Sequence, residues 1–390
     1  MNIKRQYYPV NWVDGMKINK DHFIAQDHAW QQAIQESSAT YLNPVRYGLL
    51  PAQNEEEINF DVRIVLDNQN TVRAHVVSLH AITRAGIPIC IPALGQNGLQ
   101  TNDEVPAVSF ALNSGTAESA YWVVLFAKPF ERQAAGQPLP DENPPRLPFL
   151  IPTYELALLS DAQYRQQVRH PHVITLGKVL VNGNDKRVDD GYIPPCLSVS
   201  AHPDLLSLHA ELDAFLSNIE VKCSAIVQKI FKRSQQNELS DLVLFLCDRM
   251  ILFLSQVITD LRWRLIHESP ASLFAVIASM ARVMKNSIDL RTGSGKDELL
   301  NYFSEWCDLT QGEWESMLSQ LAVMRYEHND VNNNILQIAR FVKVSGKLFD
   351  TLSTLEFIGK RKESGIFVKE EREPETPGGT QKPKRRFFGG

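Results

Sequence analysis

Disulfide frameworks, zinc knuckles and redox pairs all need cysteines at set spacings. This chain has only five, Cys90, Cys196, Cys223, Cys247 and Cys307, and no two stand as CxxC. An odd number without such spacing fits a reducing compartment, and all five are expected to be buried or inert thiols. Long apolar runs are equally scarce. The nearest approach to the roughly 18 residues of a membrane span is Leu242 to Ile258, and Asp248 and Arg249 interrupt it at its middle. The opening MNIKRQYYPVNW has a basic start but no apolar stretch of a secretory signal. The expectation is a cytoplasmic chain that is neither exported nor inserted in a membrane. Glycine and proline number 20 and 21 among 390 residues, which excludes collagen-like and low-complexity classes.

Catalytic signatures are missing too. GxSxG, HExxH and a Walker loop do not occur; Gly293-Ser294-Gly295-Lys296 resembles a phosphate loop only superficially, lacking the four-residue spacer and a preceding strand. His170-Pro171-His172 would put two imidazoles on one side of a strand, but no third ligand lies near in sequence, so a polar turn entering the strand at Ile174 is the better reading. His22 and His28, with Asp21 and Asp27, sit among Phe23, Ile24 and Trp30, as in an amphipathic packing helix. No catalytic residue, metal or cofactor is expected. The net charge is -5, and residues 360–390 hold nine Lys or Arg against five Glu, a net of +4 that leaves -9 for the rest. An acidic body argues against nucleic-acid binding.

What is present divides into two textures. From about residue 41 to 200, short alternating runs are punctuated by Pro, Gly and Asn, the pattern of an antiparallel sandwich or barrel. Ile58, Phe60, Val62, Ile64 and Leu66 share one face at period two, and Asp67-Asn68-Gln69-Asn70 turns the chain into a second alternating run. A second hairpin is expected around Asn182-Gly183-Asn184-Asp185. Tyr121 to Phe130 is apolar on both faces and reads as an interior strand, and Gln133 to Pro148 reads as a surface loop. After Pro203 only one proline, Pro270, occurs before residue 359, and apolar residues recur at helical spacing. Helices are expected over about 204–234, 238–268 and 270–290, with two or three pieces between 296 and 357, and with Asp204 and Ser240 as N-caps. The helix from 238 carries one stripe at Leu239, Leu242, Leu246, Met250, Phe253, Val257 and Leu261. A second, at Leu244, Ile251, Ile258 and Leu265, fits either a deep core contact or a subunit seam. The class is therefore α+β and multidomain: a β-sandwich over 1–200 with an N-terminal entry helix, a helical bundle over 201–360, and a disordered basic tail over 361–390. The tail's Arg385, Arg386, Phe387 and Phe388 combine charge with rings that have no core of their own to join. They read as a solvated end or as a docking peptide.

Three segments carry a resemblance. Trp12, Gly15, Met16, His22, Phe23, Gln26 and Asp27, in WVDGMKINKDHFIAQD, are spaced as at the opening of the TssK family, with Ile24 where the family has Gln. Gly191-Tyr192-Ile193-Pro194-Pro195-Cys196-Leu197 is similar to the family's exit from its sandwich. Tyr326-Glu327-His328-Asn329-Asp330 is similar to a late Tyr, any, His, any, Asp element; from the residues alone, these are a helix junction with satisfied polar contacts. The resemblance spans about residues 9 to 345 in collinear order. It implies a non-enzymatic baseplate adaptor of a bacterial type VI secretion system: a homotrimer with a sandwich shell, a trimerising helical neck and a head that grips the membrane complex. It implies baseplate wedge partners of TssF and TssG type, with Trp12, Met16, His22, Phe23, Gln26 and Asp27 as partner-binding residues and Leu244, Ile251, Ile258 and Leu265 as the candidate trimer seam. After Asp330 about sixty residues remain, too few for that head, so docking to a membrane-complex protein or its substitute would fall to the C-terminal end. A phage-like receptor-binding or baseplate protein is the near alternative. A sandwich-fold hydrolase or carbohydrate-binding protein is the distant one, and would show a concave pocket with convergent carboxylates.

Overall fold

The computed structural model describes residues 5–54, 58–92, 106–112, 120–138, 141–183, 185–359 and 386–388. It divides into two compact units: residues 1–202 with 327–332, and residues 203–326 with 333–390.

The first unit opens with helix α1 (Lys20–Ala39), capped by Asn19, whose side chain accepts from the Asp21 and His22 amides while His22 accepts the Asn19 amide. Strands β1 (Gly48–Leu49), β2 (Phe60–Leu66), β3 (Thr71–Ile82), β4 (Pro88–Ile91) and β5 (Ala107–Ala111) form one antiparallel sheet built around β3. The Asp67 carboxylate starts the β2–β3 turn by accepting the Gln69 and Thr71 amides, each at 2.9 Å, and Asn70 takes φ 58°. Strands β6 (Ala120–Ala135), β7 (Phe149–Ser160), β8 (Val173–Asn182) and β9 (Asp185–Val188) form the second antiparallel sheet in the order β7-β6-β8-β9, with the short helix α2 (Asp161–Gln167) between β7 and β8. The hairpin at Asn182 and Asp185 and the interior position of β6 are as expected. The sheets face each other where Gly177 of β8 meets Ile64 of β2: a Cβ on Gly177 would lie 2.1 Å from Ile64 Cδ1, so a larger residue there would require the end of the Ile64 side chain to move.

Two expectations for this unit fail. Ile58 is exposed, because the strand begins only at Phe60; from there Phe60, Val62, Ile64 and Leu66 keep the expected period, half-buried beside exposed Arg63 and Val65. Gln133, Ala134 and Ala135 are not loop. β6 resumes pairing with β7 after a bulge at Lys128–Arg132, and the surface connection starts at Gly136.

The second unit is helical: α3 (Pro203–Lys232), α4 (Glu238–Trp263), α5 (Ala271–Asp289), α6 (Lys296–Cys307), α7 (Gln311–Ala322) and α8 (Val331–Thr354). α3 buries Leu205, Leu208, Leu212, Leu216, Ile219, Cys223, Ile226 and Ile230, a stripe at three- and four-residue steps that faces α4. Neither expected N-cap holds. Pro203 occupies the first turn of α3, where its missing N–H costs nothing, and Asp204 lies inside the helix. Asn237 caps α4 by accepting the Ser240 amide at 2.8 Å, and Ser240 returns the bond to the Asn237 amide as the third residue of a capping box. The 26 residues of α4 are long and apolar enough in composition to cross a membrane, contrary to the sequence reading, but the helix buries Leu242, Leu246, Met250, Leu254 and Leu261 within the bundle and exposes Asp248 and Arg249. Cysteine placement needs one correction. Cys196, Cys223, Cys247 and Cys307 are buried, but Cys90 is exposed on β4, with Sγ 3.5 Å from His80 Nε2.

Candidate interaction surface

α1 is turned inside out. It buries Gln32 and Gln35 and exposes Phe23, Trp30 and Ile34 at 61%, 63% and 60%. Positions 23, 30 and 34 share one helix face. The inversion has a local cause, because the extended segment before the helix needs partners for its amides. Gln32 Oε1 accepts the Gln6 and Tyr7 amides at 3.1 and 2.8 Å, and Gln26 Oε1 accepts the Val10 amide at 3.1 Å. Buried Gln32 and half-buried Gln26 thus hold residues 6–10 along the helix.

The other side of α1 meets the bulge of β6. Arg132 bonds both Asp27 and Gln31, and Gln31 donates to the Pro129 carbonyl at 3.3 Å. Tyr7 and His28 pack on Phe130, at 4.4 and 5.4 Å between ring centroids. Burial, then the Arg132 charge, holds the His28 imidazole below its ordinary range. At its C-terminal end the helix lies against Gly86 (φ 82°), where a Cβ would stand 2.7 Å from the Gln35 carbonyl oxygen. The inner face is therefore largely polar, with Ala29 beside Gln32 and Gln35 and the Gln35 Nε2 left without a partner among the described residues, while the large apolar residues point outward.

Of the six residues predicted at this surface, Trp12, His22 and Phe23 come together, with the Trp12 ring 6.0 Å from His22 and 6.2 Å from Phe23. Gln26 and Asp27 instead hold the entry segment and the β6 bulge, and half-buried Met16 sits in the turn, its amide donating to the Val13 carbonyl. Sequence reasoning missed Trp30 and Ile34. Their spacing from Phe23 was legible, but an apolar face is ordinarily read as the buried one.

Beside the bulge, a cavity of about 400 Å³ is lined by Phe126, Phe130, His170, His172, Glu131 and Glu155, among others. Its two carboxylates converge on Lys128, at 3.2 and 3.0 Å, and are paired rather than available as an acid and a base. The His170 and His172 rings lie 5.3 Å apart, and among the described residues no group of three His, Cys, Asp or Glu could hold a metal. Lys296 of the Gly293 connection is likewise occupied, by Asp289 and Glu315 at 2.8 and 2.7 Å.

The late motif closes a polar network in the first unit. His328 Nε2 lies 2.9 Å from the Tyr47 carbonyl; Asn329 Oδ1 accepts from Tyr47 Oη at 2.9 Å, and the Asn329 carbonyl accepts from Tyr192 Oη at 2.6 Å. Lys178 Nζ meets Asp330 at 2.7 Å and stands over the Trp122 ring at 4.5 Å. Burial raises the Tyr47, Tyr164 and Tyr192 phenols; Tyr47 and Tyr192 act here as neutral donors, and Tyr164 Oη lies 2.9 Å from Thr175 Oγ1. Tyr326 belongs to the second unit, packed 5.4 Å from Phe274.

The seam residues divide. Leu244 and Ile251 are half-buried, whereas Ile258 and Leu265, at 8% and 2% exposure, are already covered by their own chain. In the tail, Arg385 lies outside the described residues, and Arg386 is exposed. Phe387 and Phe388 are half-buried, where the sequence suggested rings with no place on the chain itself.

No family model and no curated protein matches the chain. Among solved structures it is similar to a crystal structure of TssK, with 15% identity, 87% of this chain and 69% of that one covered, and a TM-score of 0.44. It is also similar to a chain of the TssK-TssF-TssG baseplate subcomplex of the type VI secretion system, with 16% identity, coverage of 90% and 100%, and a TM-score of 0.42. A chain of the baseplate complex from the type VI secretion system gives 16%, 88%, 100% and 0.46 in the same order.

Proposed function

We propose that this protein is a TssK-like structural adaptor of a type VI secretion baseplate, working through binding surfaces on the cytoplasmic side. The observation that carries the reading is the outward apolar face of α1, Phe23, Trp30 and Ile34, beside the exposed Trp12. Large exposed apolar residues on one face mark a partner site. Of the motif residues that resemble the TssK opening, Phe23 lies on this face, Trp12 packs beside it, and Gln26 and Asp27 hold the entry segment and the β6 bulge against the helix, which supports the reading.

In this reading the sandwich unit seats on wedge proteins of TssF and TssG type, and the helical unit self-associates as a trimer through Leu244 and Ile251, the two seam residues that keep exposure. The test uses the purified full chain and baseplate wedge proteins of TssF and TssG type. Phe23→Asp and Trp30→Asp are each expected to weaken capture by about a hundredfold, as loss of a central aromatic anchor does. Wild-type chain that fails to bind those proteins, or variants that bind equally well, would overturn the assignment. Light scattering on the same samples should return a trimer mass; a monomer would remove the neck from the proposal.

A further inference from the structure

Phe387 and Phe388 stand near the far end of the chain, yet their backbone amides meet α3. Both oxygens of the Glu211 carboxylate lie within bonding distance of the Phe387 N–H, at 2.8 and 2.9 Å, and Oε2 also accepts the Phe388 N–H at 2.8 Å. The two rings are 6.3 Å apart, inclined by 49°, and both are half-buried. An ionised carboxylate taking two successive main-chain donors makes charge-assisted bonds, stronger than neutral ones. The arrangement inverts the usual anion nest, since here the peptide supplies the paired amides and a helix supplies the anion.

The contact spends the Glu211 carboxylate on main-chain donors: Asp213, Asp260 and Asp289 of the same unit pair with cations, whereas both Glu211 oxygens meet the tail amides. The covalent connection does not impose this contact. Residues 360–385 separate the docked segment from the end of the helical part, and 26 residues can reach about 90 Å when extended. Bonds at the site must hold the segment there, aided by its high effective concentration.

We infer that Glu211 forms a peptide-docking site on α3 whose occupant is this chain's own Phe387-Phe388 segment. The site recognises two consecutive free amides on a segment bearing bulky aromatic side chains, and it excludes proline at either position. Docking withholds the aromatic pair: any partner that binds it competes with Glu211, and its apparent affinity is the intrinsic affinity multiplied by the undocked fraction.

Hydrogen–deuterium exchange on the full-length protein tests this through the C-terminal fragment containing Phe387 and Phe388. The wild-type amides should be protected, and Glu211→Gln and Glu211→Ala should each speed their exchange by about tenfold or more. Exchange in α3 and the melting temperature should be unchanged. Phe388→Pro removes one donor without touching α3, and should release Phe387 to a similar degree. Wild-type amides that exchange at the unprotected rate, or equal protection in the Glu211 variants, would overturn the site. Protection that fades on dilution would overturn the own-chain occupant and assign it to a second copy.

Discussion

His328 donates from Nε2–H to the backbone carbonyl of Tyr47 at 2.9 Å across 281 residues of sequence, with the two rings 4.7 Å apart. A carbonyl can only accept, so the proton sits on Nε2, and the imidazole is held neutral in a site that water does not reach.

That geometry makes stability depend on acid. Burial lowers the His328 pKa from 6.5 to about 4. Above pH 6.5 neither state takes the proton and the full contribution is present. As pH falls from there toward 4 the unfolded chain binds it and the folded chain does not, so stability is lost across that window. The difference of 2.5 in pKa corresponds to about 3 kcal/mol. Urea unfolding at stepped pH should show this loss, and His328→Gln should flatten the curve between pH 6.5 and 4 relative to wild type. Parallel curves for the two proteins would mean that His328 does not carry the effect.

α1 should respond to substitution in the reverse of the usual sense. Gln32→Leu places an apolar group in a buried position, yet it orphans the Gln6 and Tyr7 amides and should cost about 2 kcal/mol. Trp30→Ser removes a large ring from the surface and should change stability by about 0.5 kcal/mol or less. Thermal melts of the two variants check the ordering. A more damaging Trp30 variant would show that the exposed face packs within the chain.

The five cysteines should separate sharply in a native thiol titration. Cys90 is exposed and should react at once with an aromatic disulfide reagent. Burial pushes the Cys307 thiol up to about 12 and raises Cys196 as well, while the hydrogen bond with Cys247 and then burial raise Cys223. These four should react only as the protein unfolds. Rapid reaction of two or more thiols in the native protein would contradict the burial described.

Much of this chain was decided locally, and that part was readable without a structure. Asp67 begins its turn by bonding amides two and four residues ahead, and α3 shows its stripe in the spacing of eight apolar residues; both depend only on near neighbours in sequence. The class, the two hairpins, interior strand β6 and the helical second half follow from such signals. Periodicity states which residues share a face, but not whether that face has a partner. Only tertiary contacts turned α1 so that Gln32 faces inward and Trp30 outward, because amides at Gln6 and Tyr7 and a bulge near Phe130 had to be satisfied first. The same limit explains Ile258 and Leu265, whose seven-residue spacing fitted a subunit seam until their own bundle covered them. It also explains Glu327–Asn332, which lies between two helices of the second unit in sequence and joins the sandwich in space through Tyr47, Lys178 and Tyr192. Glu211 and Phe387, 176 residues apart, carry no mark in sequence of their pairing, since a carboxylate that accepts backbone amides selects no side chain.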